Sequence, residues 1–478
     1  MTMFTLAQAA QILPGSRIHG DATQSFERVS TDSRTVGQGD LFIALKGENF
    51  DAHDFLSEVA GRGASAVLVK QLPQGYPLPA LQVSDPLVAL GTLARGWRRS
   101  FKLPVVAVTG SNGKTTVKEM IASIFAEAVG EEGRLATRGN LNNEIGVPLT
   151  LARLSAEHTL AVVELGMNHP GETAVLAALV EPTIALVNNA QREHQEFMAT
   201  VEAVALEHAS VIHALPDDGI AVYPADDPYA GIWRVAATGH RTVEFALAAP
   251  DQSLDQLQAT VRGRLHDGRR LQVATPQGQF EVTLRVLGDH NARNALAAIS
   301  AALAAGVSLD AISAGLTLFE PVKGRLQVKT ATLPACAGAT VIDDSYNANP
   351  DSMRAAIEVL AKSPAPRILV IGDMGEVGDH GPEFHREIGA YARESGIDVM
   401  YALGEASRAA CQMFGANGRH FNSMEALLDA LLLTGVEPHA TVLVKGSRFM
   451  RMERVVEKLT GAASINKFVV PGGSPDAH

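Results

Sequence analysis

Cysteine is nearly absent from this 478-residue chain: Cys336 and Cys411 are the only two, and neither belongs to a CxxC or Cys/His cluster. That excludes a disulfide framework and a thiolate zinc site, and it fits a reducing cytoplasm. An excess of positive charge is missing as well. The formal net charge is −12 and no run rich in lysine or arginine occurs, so the electrostatic footprint of a nucleic-acid binder is lacking and no nucleic-acid partner is expected. No apolar stretch is long enough to span a membrane. The Ala-rich segment 295–305 is too short and reads as a buried helix, and the opening MTMFTLAQAAQILPG carries no basic region ahead of its apolar residues. Lysine has one wide gap, with none between Lys118 and Lys323.

Against these absences stands one dense signal. Residues 105–118 read VVAVTGSNGKTTVK: a β-branched run, a glycine-bracketed loop, then Val117, Ile121 and Ile124 at helical spacing. A phosphate site needs strand, loop and helix in this order. Glycines let backbone N–H groups approach phosphate, and the helix N-terminus favours negative charge. Lys114 is placed to reach the β- and γ-phosphates and Thr115 to hold Mg²⁺. The loop departs from the standard Walker pattern, because the position five residues before the Gly113-Lys114 pair is Val108 and the nearest glycine is Gly110.

Apolar residues make up 46% of the chain and charged residues 19%, enough for several packed cores. At roughly 100–200 residues per domain the length predicts three. Residues 1–100 contain short strand-like pieces at 40–45 and 64–69 and read as a small α/β domain. Residues 101–318 alternate strands (105–109, 160–165, 183–188, 219–223) with helices, which predicts a mostly parallel, P-loop-type sheet covered on both faces. Within that part, 259–287 alternates like antiparallel strands and 292–305 reads as a helix. Residues 319–478 repeat the rhythm, with strands at 340–343, 367–371, 399–403 and 441–444, and predict a Rossmann-like doubly wound sheet. The Gly/Ser/Pro-rich end, 471–478, reads as a frayed tail.

Other polar clusters sit at predicted strand ends, where ligands of open α/β sheets gather. Glu164 lies at the C-terminal end of the strand 160–165 and is either a Mg²⁺ ligand or a solvated strand-end glutamate. His194 follows the strand 183–188 and is either a second ligand or an ordinary loop residue. The amide-rich segment 139–148, with Asn142 and Asn143, fits Asx-turns as well as a site. Asp289 or His290 is a candidate cap for the next helix, and His290, Asn291 and Asn294 also suit a purine or ribose. Lys323 and Arg325 form a charged turn or a grip on phosphate. Asp343, Asp344 and Asn347 run from a strand into a polar turn, with Asp351 or Ser352 the expected helix cap. Lys445 and Arg448 place two cations past the last strand, which suits an anionic group.

Together these segments resemble the Mur ligases, ATP-dependent amide-forming enzymes, over nearly the whole chain. The loop from Thr109 through Gly110, Asn112, Gly113, Lys114 and Thr115 to Thr116 is shared with folylpolyglutamate synthetases. More selective are GNLNNEIGVP at 139–148, DDSYNANP at 343–350, TDSR at 31–34 and LFIALKG at 41–47. The absence of an Asp-Asn-Pro-Arg segment in the C-terminal part, together with DDSYNANP, is similar to the dipeptide-adding branch. The resemblance implies ATP and Mg²⁺ as cofactors, UDP-N-acetylmuramoyl-tripeptide and D-alanyl-D-alanine as substrates, and a monomer. It implies that Ser33, Arg34 and Lys46 lie near the UDP part, and that Asn142 and Asn143 contact substrate or phosphate. It further implies Glu164 and His194 as metal ligands, His290, Asn291 and Asn294 at the adenosine, and Arg325, Asp344 and Asn347 closing over the nucleotide, with Lys445 and Arg448 placing the dipeptide. Several members carry a carbamylated lysine at the position held here by His208. Since no lysine is available, Glu207, an oxygen donor suited to Mg²⁺, or His208 is expected to support the metal instead. Another ligase of the same superfamily, or a nucleotide-gated binding module, are the alternative readings.

Overall fold

The computed structural model describes residues 1–433 and 436–461; the tail at 471–478 lies outside them. The apolar run at the phosphate motif becomes the strand Val105–Thr109, buried along its whole length, as parallel strands covered on both faces are. Its side chains alternate between two cores. Val105 and Ala107 join one, with the helices Pro86–Arg98, Glu172–Val180 and Val201–His213, while Val106 and Val108 join the other, with Lys114–Val129, Asp289–Ala304 and Leu309–Leu318. This period of two is what forces helices onto both faces.

The central sheet has nine strands, in the order Gly278–Thr283, Arg270–Thr275, Val261–His266, Arg241–Leu247, Ile220–Pro224, Ile184–Val187, Val105–Thr109, Leu160–Glu164, Arg134–Ala136. All neighbours are parallel except the last hairpins at the Gly278 edge, so the antiparallel stretch expected at 259–287 continues the same sheet. The chain leaves Val105–Thr109 for Arg134–Ala136 and Leu160–Glu164 on one side and later adds Ile184–Val187 on the other. The crevice of this reversal opens at the carboxyl ends of those strands, beside the glycine loop.

Three smaller sheets accompany it among the described residues, one of them only the pair Phe4–Thr5 and Ser25–Phe26. Near the N-terminus, five strands run in the order Arg17–His19, Ala80–Gln82, Ala66–Val69, Asp40–Ile43, Arg28–Ser30. The C-terminal sheet has six, in the order Gln327–Thr330, Thr340–Asp344, Thr441–Lys445, Arg367–Gly372, Val399–Leu403, Gly418–Phe421. Its first strand, antiparallel to the next, escaped the sequence reading because its residues are only half-buried or exposed. Two helix starts also differ from expectation. Asn349, not Asp351 or Ser352, caps Pro350–Ala361, accepting from Ser352 N at 2.8 Å. Asp289 and His290 lie inside the first turn of Asp289–Ala304, whose cap is Gly288 with no side-chain bond.

The phosphate-loop helix Lys114–Val129 is fixed from behind by Leu309–Leu318. The two touch at Gly315, where a Cβ would sit 2.7 Å from Ile124 N, and Ser123 Oγ donates to Gly315 O at 2.7 Å. Gly315→Ala is therefore expected to lower stability by about 1–3 kcal/mol through overpacking, although alanine in a helix is ordinarily favoured over glycine by about 1 kcal/mol. The midpoint of urea unfolding measures it; an unchanged or raised midpoint would show that the helices part without cost.

Candidate active site

The loop between Thr109 and Lys114 exists in this shape because two of its residues have no side chain. Gly110 and Gly113 have φ of +134° and +84°, and a Cβ at Gly110 would stand 2.9 Å from Asn188 Cβ. At Gly113 it would fall on the Asn294 amide and 2.8 Å from Asn188 Nδ2. Those amides also stitch the loop in place: Asn188 Nδ2 donates to Asn112 O at 2.7 Å and to Asn294 Oδ1 at 2.9 Å, and Asn189 Oδ1 accepts from Asn112 N at 2.9 Å. The helix that starts at Lys114 turns its first N–H groups toward the same crevice. Lys114 Nζ, 3.3 Å from Glu193 Oε2, donates to Gly110 O at 2.5 Å and Ser111 O at 3.2 Å.

Glu164 stands beside the loop on the next strand, 1% exposed. Its Oε1 accepts from Thr115 Oγ1 at 3.1 Å and from Asn142 Nδ2 at 2.8 Å, and its Oε2 is buried with no hydrogen-bond partner. A buried carboxylate oxygen left bare is costly, and a hard cation would satisfy it. His194, held at φ +47°, lies with Nδ1 2.5 Å from Glu376 Oε2 of the C-terminal part and Nε2 3.9 Å from Glu193 Oε2. Behind Glu193, His208 Nε2 is 3.0 Å from Glu193 Oε1 and His208 Nδ1 is 2.9 Å from Thr109 Oγ1. Burial would raise the Glu193 carboxyl, but Lys114, His208 and His194 hold it down at about 2.

Lys114, Thr115, Glu164, Glu193 and His194 line one cleft of about 1800 Å³ between the central sheet and the C-terminal sheet. Asn142, Asn143, His290, Asn291 and Asn294 line it from the central side, and Arg325, Asp344, Asn347, Lys445 and Arg448 from the other. Burial, with Lys445 contributing, drops the His290 imidazole to about 4 and leaves it neutral at physiological pH. The Arg325 guanidinium lies 4.4 Å from the Tyr346 ring centre, a stacked cation. Lys445 is buried, 2.7 Å from Asp344 Oδ2, and donates to Asn347 O at 2.8 Å. Burial pushes the Asp344 carboxyl up, against the pull of Lys445. The two sides are bolted together by Arg192, which meets Asp351 Oδ1 at 2.6 Å and Glu387 Oε2 at 2.7 Å, and by Asn349 Nδ2 donating to Asn112 Oδ1 at 2.9 Å.

Not every expected residue is here. Thr109 and Gly110 stand behind the cleft, Thr109 fully buried against His208. Ser33, Arg34 and Lys46 lie apart from it on the N-terminal part; Arg34 folds onto Asp32 at 2.9 Å, and Lys46 is exposed, 3.7 Å from Asp51. Asn143 Oδ1 accepts from Ile145 N at 3.3 Å, the bond of an Asx-turn, and from Gly146 N at 2.9 Å. The buried pairing of Lys445 makes it a support for Asp344 and Asn347 rather than a free cation. Glu207 is a correction. Both its oxygens accept backbone N–H groups, Gly171 and Thr173, each at 2.9 Å, so it caps the helix Glu172–Val180 from outside and is not a metal ligand. His208 is fully buried behind Glu193 and does not reach the cleft. Glu193 and Arg192 were missed although they precede His194 directly; a charged triplet past a buried strand was the available signal, but nothing local tells which of three neighbours points inward.

A glycine loop heading a helix, a bare carboxylate beside it and another α/β domain across the cleft define a nucleotide-dependent catalyst whose site lies between two of its domains. Comparison with known proteins narrows the class. The model "Mur ligase family, catalytic domain" matches residues 25–98, "Mur ligase middle domain" 108–302, and "Mur ligase, glutamate ligase domain" 324–448. The chain is 40% identical to the UDP-N-acetylmuramoyl-tripeptide–D-alanyl-D-alanine ligase of Escherichia coli K12 over 460 residues, 96% of this chain and 99% of that one. It is 38% identical to the same-named ligase of Haemophilus influenzae over 465 residues, with the same coverage. Among solved structures, MurF from Acinetobacter baumannii superposes with a TM-score of 0.87 at 35% identity, covering 96% of this chain and 99% of that chain. MurF ligase from Thermotoga maritima in complex with ADP gives 0.78 at 26% identity, covering 91% and 97%. The chain belongs to the Mur ligase family.

Glu207→Ala is expected to lower stability by about 0.5–2 kcal/mol, the usual loss on removing a helix cap, while leaving the Mg²⁺ requirement of turnover unchanged. Thermal unfolding and a Mg²⁺ titration of phosphate release measure the two; a raised Mg²⁺ requirement would return Glu207 to the metal.

Proposed function

We propose that this chain is an ATP-dependent amide ligase that joins D-alanyl-D-alanine to UDP-N-acetylmuramoyl-tripeptide, a step of peptidoglycan precursor synthesis, with ADP and phosphate as products. The observation that carries the reading is the Thr115–Glu164–Asn142 cluster at the head of the phosphate loop, with Glu164 Oε2 bare and buried, in a cleft whose far wall is the C-terminal domain. The names of relatives alignable over 96% of the chain supply the substrates.

A carboxylate resists attack by an amine because oxide would have to leave, so the γ-phosphate of ATP first converts it to an acyl phosphate, which the dipeptide amine then attacks. The protein's part is positioning and charge. Lys114 lies within reach of the β- and γ-phosphates once it turns from its own loop carbonyls. Thr115 and Glu164 would hold Mg²⁺, with His194 nearby; the ion would neutralise charge on the transferring phosphoryl group. His290, Asn291 and Asn294 form the adenosine side, and Arg325, Asp344 and Asn347 close over the nucleotide from the third domain. Arg448, 5.8 Å from the Tyr346 ring centre and 3.0 Å from Glu453 Oε1, is the cation assigned to the dipeptide carboxylate. Ser33, Arg34 and Lys46 take the UDP end on the first domain, away from the chemistry. We take domains 1–100, 101–318 and 319–478 as the three substrate-holding units, whose closure excludes water from the acyl phosphate. Two free, buried cysteines support a cytoplasmic location, and no described helix is long and apolar enough to cross a membrane.

A coupled phosphate-release assay with both substrates tests the reading. Release with diaminopimelate, lysine or glutamate in place of D-alanyl-D-alanine would reassign the substrate, and ATP bound without turnover would make the chain a nucleotide-gated module. Lys114→Ala is expected to abolish release, by about 100-fold or more for loss of a preorganised charge, in a variant with unchanged circular dichroism; near-normal turnover would remove the mechanism. Asp344→Ala and Arg325→Ala should raise the KM for ATP although both lie outside the central domain. Wild-type ATP kinetics in both would disprove closure over the nucleotide.

A further inference from the structure

Glu193 is a buried carboxylate that the ligase reading leaves without a task. It lines the cleft, is 5% exposed, and has one oxygen toward Lys114 at 3.3 Å and the other toward His208 at 3.0 Å. Burying an ion is tolerable only when it is paired, and in the resting site Lys114 pairs one oxygen and His208 the other. Lys114 is also the loop's only cation. When its Nζ turns to phosphate, Glu193 Oε2 loses its counter-charge at the moment a polyanion arrives beside it. Glu164 stands in the same position relative to the adjacent loop residue, Thr115, with Oε2 buried and unpartnered. A polyphosphate inserted beside two uncompensated carboxylates would be repelled, and a divalent cation bound through their oxygens reverses the sign of that interaction. Among the described residues no three His, Cys, Asp or Glu side chains form a cage. A cation here is therefore held in the manner usual for Mg²⁺, by one or two carboxylates together with the phosphates.

We infer that Glu193 supplies a carboxylate oxygen to the divalent cation that accompanies the nucleotide, and that His208 is the positioning residue that aims it. The inference rests on the reading of the cleft as an ATP site. His208 is fully buried on the helix Val201–His213. Thr109 Oγ1 lies 2.9 Å from its Nδ1, which leaves Nε2–H to donate to Glu193 Oε1. Carboxylate, imidazole and hydroxyl thus form a chain running back from the cleft into the last residue of the loop strand, and the bonds behind a ligand set its orientation. The carboxylate is a permanent side chain, so it needs no modified lysine, and residues 119–322 offer none.

The test is Mn²⁺ binding to the full chain in the presence of ADP, followed by electron paramagnetic resonance, with ADP affinity measured separately. Glu193→Gln keeps the shape and removes the charge. It is expected to weaken Mn²⁺ at least tenfold while ADP in the absence of metal binds as well as in wild type or more tightly. Mn²⁺ affinity within threefold of wild type would overturn the assignment. Should the glutamine variant fail to fold, Glu193→Asp withdraws the carboxylate by one methylene and carries the same expectation and the same refutation. For His208, loss of the supporting bond should cost about 10–100-fold in metal affinity in His208→Ala, with recovery in His208→Gln, whose amide N–H can take the place of Nε2–H. Equal losses in both, or none in either, would reject the positioning role. Wild-type Mn²⁺ affinity should be the same in CO₂-depleted and bicarbonate buffers; dependence on bicarbonate would overturn Glu193 as the source of the oxygen. Wild-type protein that bound no ADP would overturn the ligase reading first, whereas retained ADP with unchanged metal affinity in Glu193→Gln refutes Glu193 alone.

Discussion

The site depends on an amide lattice around Asn112. Its backbone N–H and C=O and its side chain are each taken by another amide: Asn189 Oδ1 at 2.9 Å, Asn188 Nδ2 at 2.7 Å, and Asn349 Nδ2 at 2.9 Å. A loop with two left-handed glycines has little stiffness of its own. Cross-bonding to the next strand end and to the helix Asp289–Ala304 through Asn294 turns it into a fixed cradle. The bond to Asn349 carries the lattice across the cleft, because that residue also caps Pro350–Ala361 in the C-terminal domain. The helix cap and the phosphate loop are therefore mechanically linked.

Charge reinforces the link. Arg192 spans the cleft to Asp351 and Glu387, and Arg354 joins Glu387 at 3.2 Å. Burial works against the Arg192 cation, yet Glu387 and Asp351 hold its proton above the ordinary arginine range. Planar two-pronged contacts of this kind fix orientation as much as they bind. They sit two residues from His194, so the arrangement of the third domain and the placement of a cleft residue are set by one short loop. Its backbone is already constrained at His194, φ +47°.

Much of the architecture was legible because the central strands are buried on both faces and read as unbroken apolar runs. Val105–Thr109, Leu160–Glu164 and Ile184–Val187 matched expectation to within a residue at either end. The edge strand Gln327–Thr330 was invisible because a strand buried on neither face has no apolar pattern. Lys114, Thr115 and Glu164, singled out by position alone, do line the cleft, since loop and strand-end placement follow from the chain's order. Glu207 was misassigned for the complementary reason. Adjacent residues on a helix face directions about 100° apart, and whether Glu207 or its neighbour meets the cleft depends on how the helix is rolled against the sheet.

The sequence by itself determined a phosphate loop between a buried strand and a helix, three α/β units, and the absence of any lysine across 119–322. These are local or compositional properties, fixed by periodicity, glycine placement and residue type. Only the tertiary structure decided which carboxylates face the loop. Glu193, Glu164 and His208 come from three separate segments, and their convergence is set by sheet order and helix packing rather than by spacing along the chain. The same physics assigned Glu207 to a helix end: two backbone N–H groups at the start of Glu172–Val180 lacked an acceptor, and its carboxylate was the one within reach.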